Sequence, residues 1–475
     1  MPMNTHRRIT ANFLSLVFSE FASKTIQLLV FVYLARALGK GGFGIFSFGL
    51  AFGLLAAILT DFGLNSLLIR DISRNRKDAG KYLSNAVMVK IFLGLATILL
   101  AYIVLELMGY DKESKIIAYI MLAFAILQTF TELYSSIFRA FERMHYDAFI
   151  KVLRMVVLST MAFYSLKINV SLIAASVLFP ITELMVLMAA IFLAYAKFVK
   201  KSFGFDLDFS KSLLRESSFF CLSIAFAGLF LYIDWIMISK FYSPSEVGIY
   251  AAASNIALAL LAIPMMYGNA VYPVISRLYL SSKKNLTFLY ERSFKYMLLI
   301  GIAISAGIYA TSSKIISVFY GKEYLASSIV LSIIGWHLCL RFANIMSGFT
   351  LSAMDRQRSR VLSQGVVVAS KIALNFVLIP FYGIVGAAFA TLITEAIFFI
   401  SYNFFVSRYG IKINVIKPFI KPIIAALIMI MALYFVENFF IAVIVGIFAY
   451  AASLFVLRAI DMEDKKIINK VIGNA

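Results

Sequence analysis

Long apolar runs recur from one end of this chain to the other, and nothing constrains its fold more. About 20 residues of helix suffice to cross the hydrocarbon of a bilayer. Runs of that length or more lie near residues 12–36, 42–69, 82–108, 116–140, 147–167, 169–197 and 213–241. Seven more lie near 247–280, 289–312, 324–352, 359–380, 384–408, 417–436 and 438–458. Composition agrees: the chain is 62% hydrophobic and 14% charged, where a soluble globular protein is roughly 45–50% and about 25%. A water-soluble core cannot hide that much apolar surface. The reading is an all-α polytopic membrane protein with about fourteen transmembrane helices.

The formal charge of +20 would point to nucleic acid or a membrane surface in a soluble protein. Here it falls in alternate loops. Thirty-one of the 44 basic residues lie on one side, in groups such as Arg70, Arg74, Arg76, Lys77 and Lys81, or Arg277, Lys283, Lys284, Arg292 and Lys295. The opposite side has eight: Arg36, Lys40, Lys112, Lys115, Lys167, Lys240, Lys314 and Lys322. That asymmetry places both termini in the cytoplasm, in a multi-pass protein of the plasma or inner membrane. Cys221 and Cys339 both fall inside spans, so no disulfide framework is expected. The first apolar run is too long for a cleaved signal peptide.

A shift of about 204 residues lays the chain on itself. "YLARALGKGGFGIFSF" (33–48) falls on "MISKFYSPSEVGIYAA" (237–252), and "RDISR" (70–74) on "VISRL" (274–278). At a shift of 213, "RAFERM" (139–144) falls on "SAMDRQ" (352–357), and at 212 "LIAASVLFPITE" (172–183) falls on "IVGAAFATLITE" (384–395). Each half begins on the basic side, so the halves are parallel repeats. The expected organisation is a six-helix bundle over 1–201, a second over 202–412, and two extra helices with a short tail over 413–475. Gly39, Gly41 and Gly44 show the G-x-G-x-x-G spacing of a dinucleotide fingerprint. They join two transmembrane helices, however, not a strand to a helix, and only the last glycine recurs in the repeat. They read as a hairpin turn and a close helix approach.

The segments "LARALGKGGFGIFSF…LTDFGLNSLLIRDISR", "SPSEVGIYAAASNIA…VYPVISRL" and "LNFVLIPFYGIVGAAFATLITE" resemble the polysaccharide-biosynthesis flippase family. These are the Wzx-type lipid-linked oligosaccharide translocases of the multidrug/oligosaccharidyl-lipid/polysaccharide exporter superfamily. The resemblance runs over residues 10–460. It implies two six-helix bundles around a central cavity, and a polyprenyl-(pyro)phosphate-linked oligosaccharide moved from the cytoplasmic to the outer leaflet by alternating access. The implied partners are that substrate, membrane lipid and the polymerase and glycosyltransferase machinery of glycan synthesis. Asp61, in "TDFGLN", lies in a matching segment; the family pattern supplies no catalytic set.

Charges inside spans are costly, about 2.5–3.5 kcal/mol each on insertion scales, and they mark functional candidates. Glu20, Lys24 and Gln27 recur at helical spacing with Ser23, a polar stripe fit to line a cavity; the competing reading is a local Glu20–Lys24 pair. Arg341 and Lys371 lie well inside spans 10 and 11. With Lys24 they are the candidates for gripping a pyrophosphate, unless each pairs with an acid such as Glu395. Lys90, Arg154 and Glu132 lie about two turns from the cytoplasmic end, where snorkelling or mutual pairing accounts for them. Glu183 and Glu395 are repeat-related, each in "ITE", which favours a shared structural role. Asp61 and Asp234 read as lone carboxylates able to couple transport to H⁺ or Na⁺; the competing reading is a paired or capped acid. Pro264, Gly268 and Pro273 make span 8 a candidate hinge.

His337 and Cys339 stand two apart and do not share a helix face, so no metal site is expected. No phosphate-binding loop, H-E-x-x-H or nucleophile elbow is present, which argues against nucleotide, cofactor and catalytic residues, and nothing suggests nucleic acid. The chain reads as a transporter, not an enzyme. A peptidoglycan-precursor flippase, or a drug or cation antiporter of the same superfamily, is the alternative. A membrane-embedded glycan polymerase or ligase is remote, because those enzymes present large outer loops and the outer loops here are short.

Overall fold

Straight α-helix rises about 1.5 Å per residue, so the longest helices here outrun any bilayer and have to turn back. The computed structural model describes residues 5–167, 171–199, 204–459 and 464, and for 5–21 and 165–167 the backbone alone. The first helix, α1 (Thr5–Asp61), breaks at Gly39, whose φ of 64° and ψ of 173° are outside helical space. The ring centroids of Phe31 and Phe46 lie 6.0 Å apart across that break, where fifteen residues of straight helix would separate them by about 22 Å. The segment is a hairpin, and the glycine supplies the positive φ that other residues rarely adopt. The second long helix, α12 (Gln357–Arg408), does the same at Gly383 (φ 58°, ψ −138°). There Ser401 donates to Ser363 at 2.8 Å, and the Ser359 and Tyr409 hydroxyls meet at 2.6 Å.

Between them run α2 (Leu64–Arg74), α3 (Ala79–Met108), α4 (Lys112–Ala140), α5 (Met144–Lys167), α6 (Leu172–Lys197) and α7 (Leu207–Phe241). Then come α8 (Pro244–Leu260), α9 (Ala262–Ser281), α10 (Lys283–Phe319) and α11 (Ser327–Ala353). After α12 follow α13 (Lys417–Tyr434) and α14 (Phe439–Val456). Among the described residues there is no strand. Eleven helical stretches among the described residues are long and apolar enough to cross a membrane. Counting each hairpin as two crossings and adding α5, which carries Asp147, Lys151 and Arg154, recovers the fourteen expected segments.

Two expected spans are not continuous helices. Span 2 stops at Asp61, because Phe62 and Gly63 both take positive φ (45° and 78°), and resumes as α2. A Cβ on Gly63 would stand 2.6 Å from the Cys221 nitrogen and 2.6 Å from the Ser217 oxygen of α7, so only glycine fits that contact. Span 8 divides at Leu261 into α8 and α9. Of the hinge candidates, Pro264 sits in the first turn of α9, where its missing N–H costs little, and Pro273 lies inside that helix. Gly268 is filled from outside by the Phe349 ring, which a Cβ would strike. The discontinuity lies at Leu261, one residue before α9 begins.

The chain divides into two compact units. One comprises Met1–Asn255 with Gln364–Ile384, the other Ile256–Ser363 with Val385–Ala475. In the first, α4 packs against α1 and α6, around Phe46, Phe124 and Phe179, whose rings meet at 5.1–5.6 Å. In the second, α10 packs along α11 and α13, and Phe294, Phe342 and Leu338 are fully enclosed.

The repeat shows in local backbone as well as in sequence. Helix α4 ends with Glu142 at φ 58° and α11 with Asp355 at φ 58°. At each end the chain reverses through matched hydrogen bonds, Arg143 N–H to Phe138 O at 2.8 Å and Arg356 N–H to Leu351 O at 2.9 Å. This is the 6→1 bond of a Schellman termination, here built without glycine, at two positions that the repeat superposes.

Candidate functional site

Every described charge buried within a span meets a partner, and the pairs form separate nodes. In the first unit, the Lys90 ammonium donates to Asp61 Oδ1 at 2.8 Å, Asn65 Oδ1 at 3.0 Å and the Thr129 carbonyl at 2.7 Å. Those three bonds use all three of its protons. Asp61 Oδ2 accepts the Gly63 N–H at 3.2 Å, so the same carboxylate also caps the break between α1 and α2.

The second node joins α7, α8 and the first arm of α12. The Lys371 ammonium lies 2.9 Å from Asp234 Oδ2, donates to the Phe230 carbonyl at 2.7 Å and sits 4.4 Å from the centre of the Phe230 ring. Asp234 also accepts from the Tyr250 hydroxyl at 2.8 Å and from Asn375 Nδ2 at 2.7 Å. All four side chains are buried. Asp61 and Asp234 are therefore paired, the second of the two readings the sequence left open. In each case a lysine of another helix supplies the positive charge that a free cation would otherwise bring.

The third node is a network near the basic end of α4, α5 and α6. Arg139 bridges Glu132 (2.7 Å) and Asp147 (2.9 Å), and Arg154 pairs with Glu183, donating from a terminal nitrogen to Oε1 at 3.0 Å with Nε 2.8 Å from Oε2. Arg154 also approaches Glu132 at 3.7 Å. Lys90 is not part of it.

In the second unit, Arg341 lies 3.6 Å from Glu395 Oε2 and 5.6 Å over the Phe398 ring. Asn344 donates to Glu395 Oε1 at 2.6 Å and to its carbonyl at 3.1 Å. The repeat-related glutamates thus share a role with different partners: Glu183 meets an arginine of α5, Glu395 one of α11. Lys24 donates to Gln27 Oε1 at 3.4 Å, and both are half-buried on the first arm of α1. The Glu20 side chain lies outside the described residues. His337 is buried with its ring nitrogen against the Ile334 carbonyl, and no group of three His, Cys, Asp or Glu able to hold a metal occurs among the described residues.

Sequence reasoning missed Asn65, Tyr250, Asn344 and Asn375. Three of them carried a signal. In the sequence each stands three or four residues after a charged residue, as Asp61–Asn65, Lys371–Asn375 and Arg341–Asn344. The last two pairs share a helical face, whereas Asp61 and Asn65 flank the break at Phe62 and Gly63 and converge on Lys90 across it. Such a pair can clasp a single opposite charge from another helix.

Known proteins share both sequence and architecture with this chain. Residues 9–279 match the family described as polysaccharide biosynthesis protein, and residues 220–380 match MatE. The probable low-salt glycan biosynthesis flippase Agl15 of Haloferax volcanii is 26% identical over 377 residues, 78% of each chain. A putative O-antigen transporter of Shigella dysenteriae is 24% identical over 395 residues, 81% of this chain and 97% of its own. Among solved structures, the lipid II flippase MurJ in an inward closed conformation aligns with a TM-score of 0.78 at 20% identity, covering 93% of this chain and 98% of that one. An inward-facing multidrug resistance MATE transporter aligns with a TM-score of 0.68 at 15% identity, over 82% and 95%. At those identities the structural likeness establishes the fold. The sequence match spans more than half of the chain, and the chain belongs to the polysaccharide biosynthesis protein family.

Proposed function

We propose that this chain is a flippase that carries a polyprenyl-(pyro)phosphate-linked oligosaccharide from the cytoplasmic to the outer leaflet for surface-glycan synthesis. The observation that carries the reading is the family match over residues 9–279, together with a glycan-biosynthesis flippase aligned over 78% of the chain. The basic asymmetry supports an orientation with both termini in the cytoplasm of a plasma or inner membrane. The repeat supports six-helix halves over 1–201 and 202–412, followed by two further helices over 413–475.

The candidate residues divide by exposure. Lys371 is enclosed, with Asp234 and the Phe230 carbonyl on its ammonium, so we assign it to holding α7 against α12. Arg341 keeps 17% of its side chain exposed and meets Glu395 at only 3.6 Å. Its planar fork suits a phosphate oxygen pair, so we assign it to the head group; Lys24 and Gln27, half-buried in the first unit, are separate head-group candidates. Transport is non-enzymatic in this reading and draws on no nucleotide. Purified protein in liposomes should translocate a labelled lipid-linked oligosaccharide without ATP; a strict ATP requirement in that system sinks the proposal.

A further inference from the structure

The glycine in "GIF" and its repeat counterpart in "GIY" meet in space. Gly44 and Gly248 are both buried, and each lies against the turn that precedes the other. A Cβ on Gly44 would strike the Pro244 carbonyl and stand 3.0 Å from the Gly248 nitrogen. A Cβ on Gly248 would strike the Lys40 carbonyl and stand 3.1 Å from the Gly44 nitrogen. Pro244 and Lys40 each precede their own glycine by four residues, so the contact is reciprocal. Two equivalent helix starts meet backbone to backbone at these glycines.

A second observation lies beneath the crossing. Asn255 stands seven residues after Gly248, two turns on and on the same helical face. It is 6% exposed, and its Nδ2 has no hydrogen-bond partner among the described residues. A buried amide left unpaired costs about 1–3 kcal/mol. That cost is relieved if water reaches the site in another state of the protein.

We propose that the Gly44–Gly248 crossing is a separable seal at the end of the spans poor in basic residues, and that parting it opens a wet path to Asn255. Backbone contact at the two glycines is what makes the seal separable. Close glycine packing gains dispersion energy over a small area, whereas interdigitated side chains would have to be withdrawn across the whole crossing. The inference rests on the transport reading for its purpose, not for its geometry.

Gly41 offers a way to lock the crossing without altering either glycine, since a Cβ there lies 3.6 Å from Ser245 Oγ, within disulfide reach. The test protein carries Gly41→Cys and Ser245→Cys with Cys221→Ala, Cys339→Ala and the probe Asn255→Cys. In sealed vesicles of known orientation, a membrane-impermeant maleimide added from the Gly41 side should label position 255 in the reduced protein. Oxidation should slow that labelling at least tenfold, and reductant should restore it. Gly248→Ala in the same background should speed it several-fold by wedging the crossing apart. Equal labelling with and without the disulfide, or none in either state, overturns the proposal and makes the crossing a fixed pivot. Labelling that follows the disulfide in a protein that moves no lipid-linked oligosaccharide keeps the seal and refutes the flippase reading instead.

Discussion

Two cation–carboxylate contacts, Lys371–Asp234 in the first unit and Arg341–Glu395 in the second, look alike in the sequence and differ in the structure. The side chains of the first pair are 2% and 4% exposed, and every described donor on Asp234 comes from a different helix or a different turn. In the second pair the glutamate is enclosed but the arginine is 17% exposed, with Nη1 lying 3.6 Å from Glu395 Oε2. The first contact is saturated; the second leaves part of a guanidinium facing outward. A buried ion pair brings little net stability over an apolar replacement, yet removing one partner strands the other. Saturation therefore predicts dependence of the fold on the pair, and openness predicts dependence of transport.

The largest expected effect comes from breaking the saturated contact. Lys371→Met should cost about 3–5 kcal/mol, the range for stranding a buried charge, seen as loss of membrane-inserted protein and a lower melting temperature in detergent. Lys371→Met with Asp234→Asn should recover most of that loss, because no charge is then left unpaired. If the single variant is as stable as wild type and only transport fails, Lys371 belongs with the head-group residues after all. The same logic applies to Lys90 and Asp61: Lys90→Met should destabilise and Asp61→Asn should restore.

Next comes the open contact. Arg341→Ala should lower oligosaccharide export by about tenfold or more, the weight of one charge-assisted contact, while protein abundance stays within about twofold of wild type. Arg341→Lys should fall between, since a point charge replaces the fork. Unchanged export by Arg341→Ala removes Arg341 from the substrate path and makes the two contacts equivalent after all.

The contrast also shows what can be read from the sequence. The spans were legible because each must satisfy the bilayer by itself, through its own length and hydropathy. The turn at Gly39 was legible because a helix on either side leaves no other use for three spaced glycines, and Gly44 was legible as a close approach because it alone recurs at Gly248. The partner of Lys371 was not. Asp234 lies 137 positions earlier, and pairing at that distance is settled by how helices are arranged, which local pattern does not encode. The breaks at Phe62 and Leu261 were hidden for a related reason. Hydropathy runs through both, and the Phe62 conformation is held by the close packing of Gly63 on α7. The amides at Asn65, Asn344 and Asn375 were within reach, at helical spacing from known charges, and were passed over because an asparagine in an apolar run carries no formal charge to explain.

A third contact extends the comparison to full exposure and carries the smallest effect. Lys81, in the first turn of α3, and Asp206, in the loop before α7, meet at 3.1 Å with 51% and 45% of their side chains exposed. Asp206 also caps α7, accepting the Phe209 N–H at 3.0 Å. The Phe209 backbone bond first, and the Lys81 ammonium second, hold its carboxyl below the ordinary value of 3.8. A depressed acid stabilises the folded state above its unfolded value, and the contribution is lost as pH falls through the folded value. Asp206→Ala should therefore lower the melting temperature slightly at pH 7 and by the same amount at pH 5, and the difference should shrink only below about pH 3.8. Because exposed pairs are screened, Lys81→Ala should matter less than Asp206→Ala, and salt should erase its effect. If Lys81→Ala instead matches the loss in Lys371→Met, burial is not what separates these contacts, and the division between fold-bearing and substrate-facing charges fails with it.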